Sequence, residues 1–193
     1  MFDNVQIDFK KPFDRFRYFD LLKEQTGYDL QNVSNKKLKE VCFENNINLG
    51  ENVNRGQMLD ALMSNLVEPK LINPTFIIDY PKLISPLAKE HRSSGKDIVE
   101  RFELFIGGSE FANSFSELND PIDQRKRLEE QVKLKDSGDE EAQPIDENFI
   151  QAMECGMPPT GGVGLGIDRL TMLLTGNRWI KDVILFPLLR SEK

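Results

Sequence analysis

Three groups of residues in this sequence of 193 have the types and spacing to do chemistry. The first is a pair of carboxylates, Glu103 and Glu110, on either side of Gly107-Gly108. Paired glycines between two apolar-aromatic runs, RFELFI and SEFANSF, predict a β-hairpin with a tight turn. With Gly107 and Gly108 as the turn, Phe105 faces Glu110, Glu103 faces Ala112, and Phe102 faces Asn113. Side chains alternate between faces, so Glu103 and Glu110 share one, as diagonal neighbours roughly 7–8 Å apart at the backbone. Two such carboxylates can converge on a hard divalent cation such as Mg²⁺. Equally, both can simply point into water, as most surface carboxylates do.

The second group is Asn113, Phe115 and Glu117. An amide, an aromatic wall and a carboxylate in that order suit an amino acid with a cationic tail. In an ideal strand they fall on the face opposite Glu103. Both groups serve one pocket only if a bulge near Phe111 or Ala112 resets the alternation. The third group is GGVGLGIDR. Gly162, Gly164 and Gly166 recur every second residue and leave one face of a strand bare, and Arg169 follows at the start of a helix. The run is neither a Walker loop nor a dinucleotide fingerprint. A flat ligand can lie on the bare face with the Arg169 guanidinium on a base or a phosphate. The alternative is a strand packed tightly under a helix capped by Asp168.

The elements that must position these groups follow from periodicity. Residues 5–9, VQIDF, alternate like a strand. Helices are predicted over Arg15–Thr26, stopped by Gly27, and over Asn35–Asn45 and Arg55–Val67, with apolar stripes suited to packing. TFIID is a predicted strand. Pro121 opens a polar helix to about Lys135, SGDEEAQP is a loop, and Asp146–Glu154 is a helix ending at Gly156. DVILF is predicted as a final strand. This divides the chain into 1–11, a strand and connection; 12–73, a helical module; and 74–193, which carries every candidate site residue.

Composition sets the class. Hydrophobic residues make up 39% and charged residues 30%, as in an ordinary globular domain. A net charge of −7 shows no overall basic excess of the kind that grips a duplex, so any nucleic-acid contact is local or made elsewhere. No apolar run is long enough for a membrane span, the first residues lack the zones of a signal peptide, and Cys42 and Cys155 fit no metal or redox spacing. The expectation is a cytoplasmic protein with reduced thiols and no membrane contact.

The segments RFELFIGGSEFANSFSELNDPIDQRKRLEEQ, GMPPTGGVGLGIDRLTMLLT and IKDVILFP together resemble the C-terminal part of the catalytic domain of class II lysyl-tRNA synthetases. NPTFIIDYPKLISPLAKEHR and IDFKKPF are also similar to that family, and residues 12–70 match it least, where the family carries a helical insertion. The glycine-arginine stretch resembles the third signature motif of class II enzymes in general, and SEFANSFSELND narrows the resemblance to the lysine enzymes.

The resemblance implies an α+β fold, an antiparallel sheet flanked by helices. It implies activation of L-lysine with ATP and Mg²⁺, transfer to tRNA(Lys), and the family's homodimer. It places Glu103 and Glu110 on the Mg²⁺ bound to ATP, and Asn113, Phe115 and Glu117 around lysine, with Glu117 facing the ε-ammonium. Arg169 would stack on adenine and approach the phosphates, with Gly164 and Gly166 giving clearance. The family's first and second signature motifs and its anticodon-binding barrel have no counterpart in these residues. Arg15 and Arg17 cannot replace the second motif's phosphate-clamping arginine. Ala112 and Ser114 stand where the family commonly has glycine. Three expectations follow: a lysine–tRNA ligase as a truncated chain, an inactive ATP- and lysine-binding or regulatory module, or a paralogue that lysylates a protein.

Overall fold

The structure is a computed structural model that describes residues 5–10, 12–50, 53–95, 97–136 and 142–187. Five strands form one sheet in the order β1-β2-β3-β4-β5: Asp14–Arg17, Thr75–Ile78, Arg101–Ile106, Ser109–Ser116 and Gly161–Leu165. β1 pairs with β2 in parallel and the other neighbours are antiparallel, so the sheet is mixed. Six α-helices flank it: α1 (Tyr18–Thr26), α2 (Asn35–Glu44), α3 (Arg55–Leu66), α4 (Pro121–Asp136), α5 (Glu147–Gly156) and α6 (Ile167–Thr175). The fold is α+β, as expected. Among the described residues no helix is long and apolar enough to cross a membrane.

Local chemistry explains where the helices start and stop. The Ser34 hydroxyl accepts from the Lys37 amide at the start of α2, and Asn54 and Gln57 form a reciprocal capping box on α3. Asp120 and Asp146 accept from the first amides of α4 and α5. Gly27 ends α1 in the left-handed region at φ 78°.

Three expected elements differ. α1 begins at Tyr18 rather than Arg15, because Asp14–Arg17 is drawn into the sheet beside β2. Residues 6–9 of VQIDF are not a strand, and neither is DVILF, where a 3-10 turn over Ile180–Asp182 precedes an irregular, exposed end. Leu185 and Phe186 are 88% and 90% exposed. Propensity without a pairing edge does not make a strand. Asp168 is not a cap: α6 starts at Ile167 with Gly166 before it and no side-chain cap. Residues 137–141 of the SGDEEAQP loop lie outside the described residues.

The main core joins Leu22, Leu38, Val41, Leu59 and Leu62 of α1–α3 to Ile77 of β2 and Phe105 of β3. Strand alternation puts Ile77 and Phe105 on the same face as Glu103, so these helices pack over part of the face that carries the candidate site. A second cluster joins Leu128 of α4 to Ile150 and Met153 of α5. β5 and α6 lie at the sheet edge and bury no residue.

Candidate active site

The hairpin turn is Gly107-Gly108, with φ of 59° and 76°. Both values lie in the left-handed region, which a two-residue turn of this hand requires and glycine supplies without strain. The turn amides donate to the Ile72 and Leu71 carbonyls at 2.8 and 3.0 Å, fixing the hairpin tip against the chain leading into β2.

The expected register holds at Ile106↔Ser109 and Phe105↔Glu110 and then shifts. Beyond that point Leu104 faces Ala112, Glu103 faces Asn113, Phe102 faces Ser114 and Arg101 faces Phe115. Glu103 therefore does not face Ala112, nor Phe102 Asn113, as an unbroken ladder would give. Phe111 is the extra residue in β4, and it is buried at 3% exposure. The bulge is the one that a shared pocket demands. It brings Asn113, Phe115 and, by continued alternation, Glu117 onto the face of Glu103. β5 completes that face, with Gly164 opposite Asn113 and Gly162 opposite Phe115. Ile77, Glu103, Asn113 and Gly164 thus form one row across four strands.

Each predicted residue has a distinct environment. Glu103 accepts from the Tyr80 hydroxyl at 2.6 Å and from Arg101 Nη2 at 2.5 Å. Arg101 also donates to Asn113 Oδ1 at 3.2 Å, to the Ile84 carbonyl and to Ser85 Oγ, and its guanidinium lies 4.6 Å from the Tyr80 ring centre. Asn113 is held through its oxygen, which leaves its NH₂ group for another acceptor. Glu110 is less enclosed. Arg169, in the first turn of α6, donates to the Glu110 carbonyl at 2.6 Å and lies 3.7 Å from its carboxylate. Burial, and then the charge of Glu103, raise the Glu110 carboxyl above its ordinary range, while Arg169 and Arg101 oppose them.

Glu117 stands apart. Burial raises its carboxyl, and among the described residues that carboxylate has no hydrogen-bond or ion-pair partner. Its backbone is pinned at the end of β4, with its amide donating to the Thr160 carbonyl at 2.9 Å and a bridge to Ala88. Its Oε1 occupies the space beside Gly162, where a Cβ would sit 2.0 Å away. Gly162 is bare because this carboxylate lies over it. A Cβ on Gly164 would meet only the Asn113 carbonyl at 3.8 Å, so that position faces open space. Gly166 is confined by its own turn: its amide donates to the Phe111 carbonyl at 2.8 Å, and a Cβ would meet that oxygen at 3.5 Å.

The sequence reading missed Arg101 and Tyr80. Arg101 was findable, since it stands two residues before Glu103 in the same strand and shares its face whatever the hairpin register. Tyr80 was not, because it lies beyond β2 and no periodicity links it to β3.

The face as a whole offers two carboxylates near two arginines, a bare strand, and a partnerless carboxylate beside an aromatic ring. This can hold a cation-bearing molecule and a polyanion side by side.

A family model described as tRNA synthetases class II (D, K and N) matches residues 1–190. A lysine–tRNA ligase of Porphyromonas gingivalis is 49% identical over 187 residues, 97% of this chain and 32% of that protein. A lysine–tRNA ligase of Prochlorococcus marinus is 52% identical over 190 residues, 96% of this chain and 37% of that protein. The chain thus spans about a third of the length of the curated relatives it matches. By the match over residues 1–190, the chain belongs to the class II tRNA synthetases of the D, K and N group.

Proposed function

We propose that this chain supplies the amino-acid face and part of the nucleotide face of a lysine–tRNA ligase, which activates L-lysine with ATP and passes it to tRNA(Lys). The observation that carries the reading is Glu117. A partly buried carboxylate without a partner, beside an aromatic ring and an amide, is costly to keep unless a cation comes to it. A lysine ε-ammonium meets that need, with Phe115 against its methylenes and the free NH₂ of Asn113 near its polar end.

Glu103 and Glu110 are the residues that would hold Mg²⁺. They fit: both are hard oxygen donors on one face, and a cation would offset the burial and, after it, the Glu103 charge that raise the Glu110 carboxyl. Among the described residues no third acidic, His or Cys side chain joins them. A two-carboxylate site of this kind suits an ion whose other ligands are substrate phosphates. The ion would supply neutralisation of phosphate charge. Arg101 orients Glu103 and Asn113 at once, and so sets the nucleotide side against the amino-acid side. Arg169 would lie over the adenine and reach the phosphates, with the bare surface at Gly164 as the floor. The chain's residues position substrates and stabilise developing charge; none is placed as a nucleophile. Residues 12–73 serve in this reading as the family's helical insertion and 74–193 as the site-bearing part.

The test is calorimetric titration with lysine, and separately with ATP and Mg²⁺, of wild type and Glu117→Gln. Lysine affinity should fall at least tenfold in the variant while ATP affinity holds, because a charge-assisted hydrogen bond is worth roughly 1.5–3 kcal/mol. Equal lysine affinity in the two proteins rejects the pocket.

A further inference from the structure

The two carboxylates read above as the ion's ligands are held unequally. Glu103 carries a donor on each oxygen: Arg101 Nη2 on Oε1 at 2.5 Å and the Tyr80 hydroxyl on Oε2 at 2.6 Å. Its side chain is 12% exposed. The Glu110 side chain is 40% exposed, its ion-pair partner Arg169 stands 3.7 Å away, and among the described residues its carboxylate accepts no hydrogen bond. One ligand is fixed and the other is free to turn.

Tyr80 is itself immobilised. It is buried, with its ring 5.1 Å from the Tyr18 ring and the Arg101 guanidinium 4.6 Å from its centre. Its carbonyl accepts from the Val99 amide at 2.9 Å. The preceding residue, Asp79, stands in the left-handed region at φ 60°, an uncommon place for a residue other than glycine. The Asp79 amide donates to the Arg101 carbonyl at 3.1 Å, so this bend ties the end of β2 to the start of β3. The phenol that follows it reaches Glu103.

Mg²⁺ and Ca²⁺ ask different things of a carboxylate. Ca²⁺ takes about six to eight oxygens in a flexible shell and accepts both oxygens of one carboxylate, whereas Mg²⁺ demands a near-octahedral shell of fewer protein oxygens beside substrate phosphates. Selection between them rests on ligand number and rigidity. A carboxylate has about four lone-pair sites, so one with a donor on each oxygen still has room for a cation on a single oxygen. To clasp an ion with both, Glu103 must turn away from Tyr80 or Arg101.

Resting on the reading of Glu103 and Glu110 as the ion's ligands, we propose that Tyr80 is a positioning residue that sets the choice of ion: by fixing Glu103 it favours Mg²⁺ over Ca²⁺ on the ATP phosphates. Loss of the Tyr80 hydroxyl leaves Oε2 without a donor and lets Glu103 turn toward an ion of higher coordination number. A Tyr80 that served only the packing around Glu103 would, on removal, weaken both ions alike.

Calorimetric titration of the full chain with ATP, once in saturating Mg²⁺ and once in saturating Ca²⁺, gives the ratio of the two affinities. Wild type should prefer the Mg²⁺ complex. Tyr80→Phe keeps the ring beside Arg101 and removes only the donor. It should narrow the ratio several-fold, up to about the tenfold that one hydrogen bond to a charged group is worth. Both affinities are read on the same protein, so any loss of folded fraction cancels from the ratio. 4-Aminophenylalanine at position 80 donates from the same place and should restore it. Glu103→Gln and Glu110→Gln read the ion site itself. ATP binding that is absent in wild type, indifferent to the ion, or undiminished in both of these variants rejects the ligand reading and the role of Tyr80 with it. Ion-dependent binding that these variants lose, with the same ratio in wild type and Tyr80→Phe, rejects the role of Tyr80 alone.

Discussion

Replacing Gly162 with alanine separates a packing role for this glycine from a placing role. The new Cβ would sit 2.0 Å from Glu117 Oε1. An ordinary carbon–oxygen approach is roughly 3.3 Å or more, so the carboxylate must retreat by about 1.3 Å. The atom that must move is the far end of a flexible side chain, and nothing else lies close except more of Glu117. Gly162 has no left-handed φ, so alanine fits its backbone. Stability should therefore change little, with a gain of about 0.4–1 kcal/mol from the stiffer unfolded chain offsetting the shift. The carboxylate should swing out of its partly buried position, and its raised pKa should return toward the ordinary range. Thermal unfolding and an NMR titration of the Glu117 carboxyl read both effects without any ligand. A displacement of about 1 Å at such a site can cost on the order of 10²-fold in function, so lysine binding should fall as it does in Glu117→Gln. Gly164→Ala is the control, since its Cβ meets only a carbonyl at 3.8 Å. An unchanged Glu117 titration in Gly162→Ala, or a loss of more than about 2 kcal/mol in stability, would refute the reasoning.

Other predictions concern stability and activity. The Glu68 carboxyl is raised by burial, so its folded pKa exceeds its unfolded one, and its charged form opposes folding. Its contribution is fully present below the ordinary carboxyl range and is lost as pH rises through the raised value. Glu68→Gln should accordingly stabilise the chain at neutral pH relative to wild type and show no gain near pH 4, as measured by urea unfolding at the two pH values. Arg127 is buried, donates to the Ala88 carbonyl at 2.6 Å and pairs with Asp123 at 2.7 Å. Arg127→Met should cost about 1–3 kcal/mol through the carbonyl left unpaired, read as a fall in the urea midpoint. The isolated chain should give lysine-dependent ATP–pyrophosphate exchange at least ~10²-fold slower than the same residues within a complete relative, because losing even one donor to a developing phosphate charge costs that much.

The hairpin shows what alternation carries and where it stops. Two glycines flanked by apolar runs identify the turn, and the chemistry of Glu103 and Glu117 requires a bulge where one stands at Phe111. The exact register beyond it depends on how Phe111 buries itself, which is a tertiary matter. The apolar stripes of α2 and α3 marked their helices to within a residue, because their caps, Ser34 and the Asn54–Gln57 box, are local. Local periodicity makes Arg15–Arg17 the start of a helix, whereas strand pairing of Asp14–Arg17 to Thr75–Ile78 is made across more than fifty residues and leaves no local trace. The same holds for Tyr80, whose hydroxyl reaches Glu103 from a segment twenty-three residues away. Gly162 looked like part of a ligand floor; its nearest neighbour is instead the carboxylate that the lysine reading needs.

The most direct measurement uses a chimera in which the matching 187 residues of the Porphyromonas gingivalis lysine–tRNA ligase are replaced by this chain. Its lysine-dependent ATP–pyrophosphate exchange is followed with and without Glu117→Gln. Robust exchange is expected, with the variant raising the KM for lysine tenfold or more while the KM for ATP stays within about twofold, as the loss of one charge-assisted contact to lysine alone requires. A folded chimera without lysine-dependent exchange, or a variant with an unchanged KM for lysine, would contradict it.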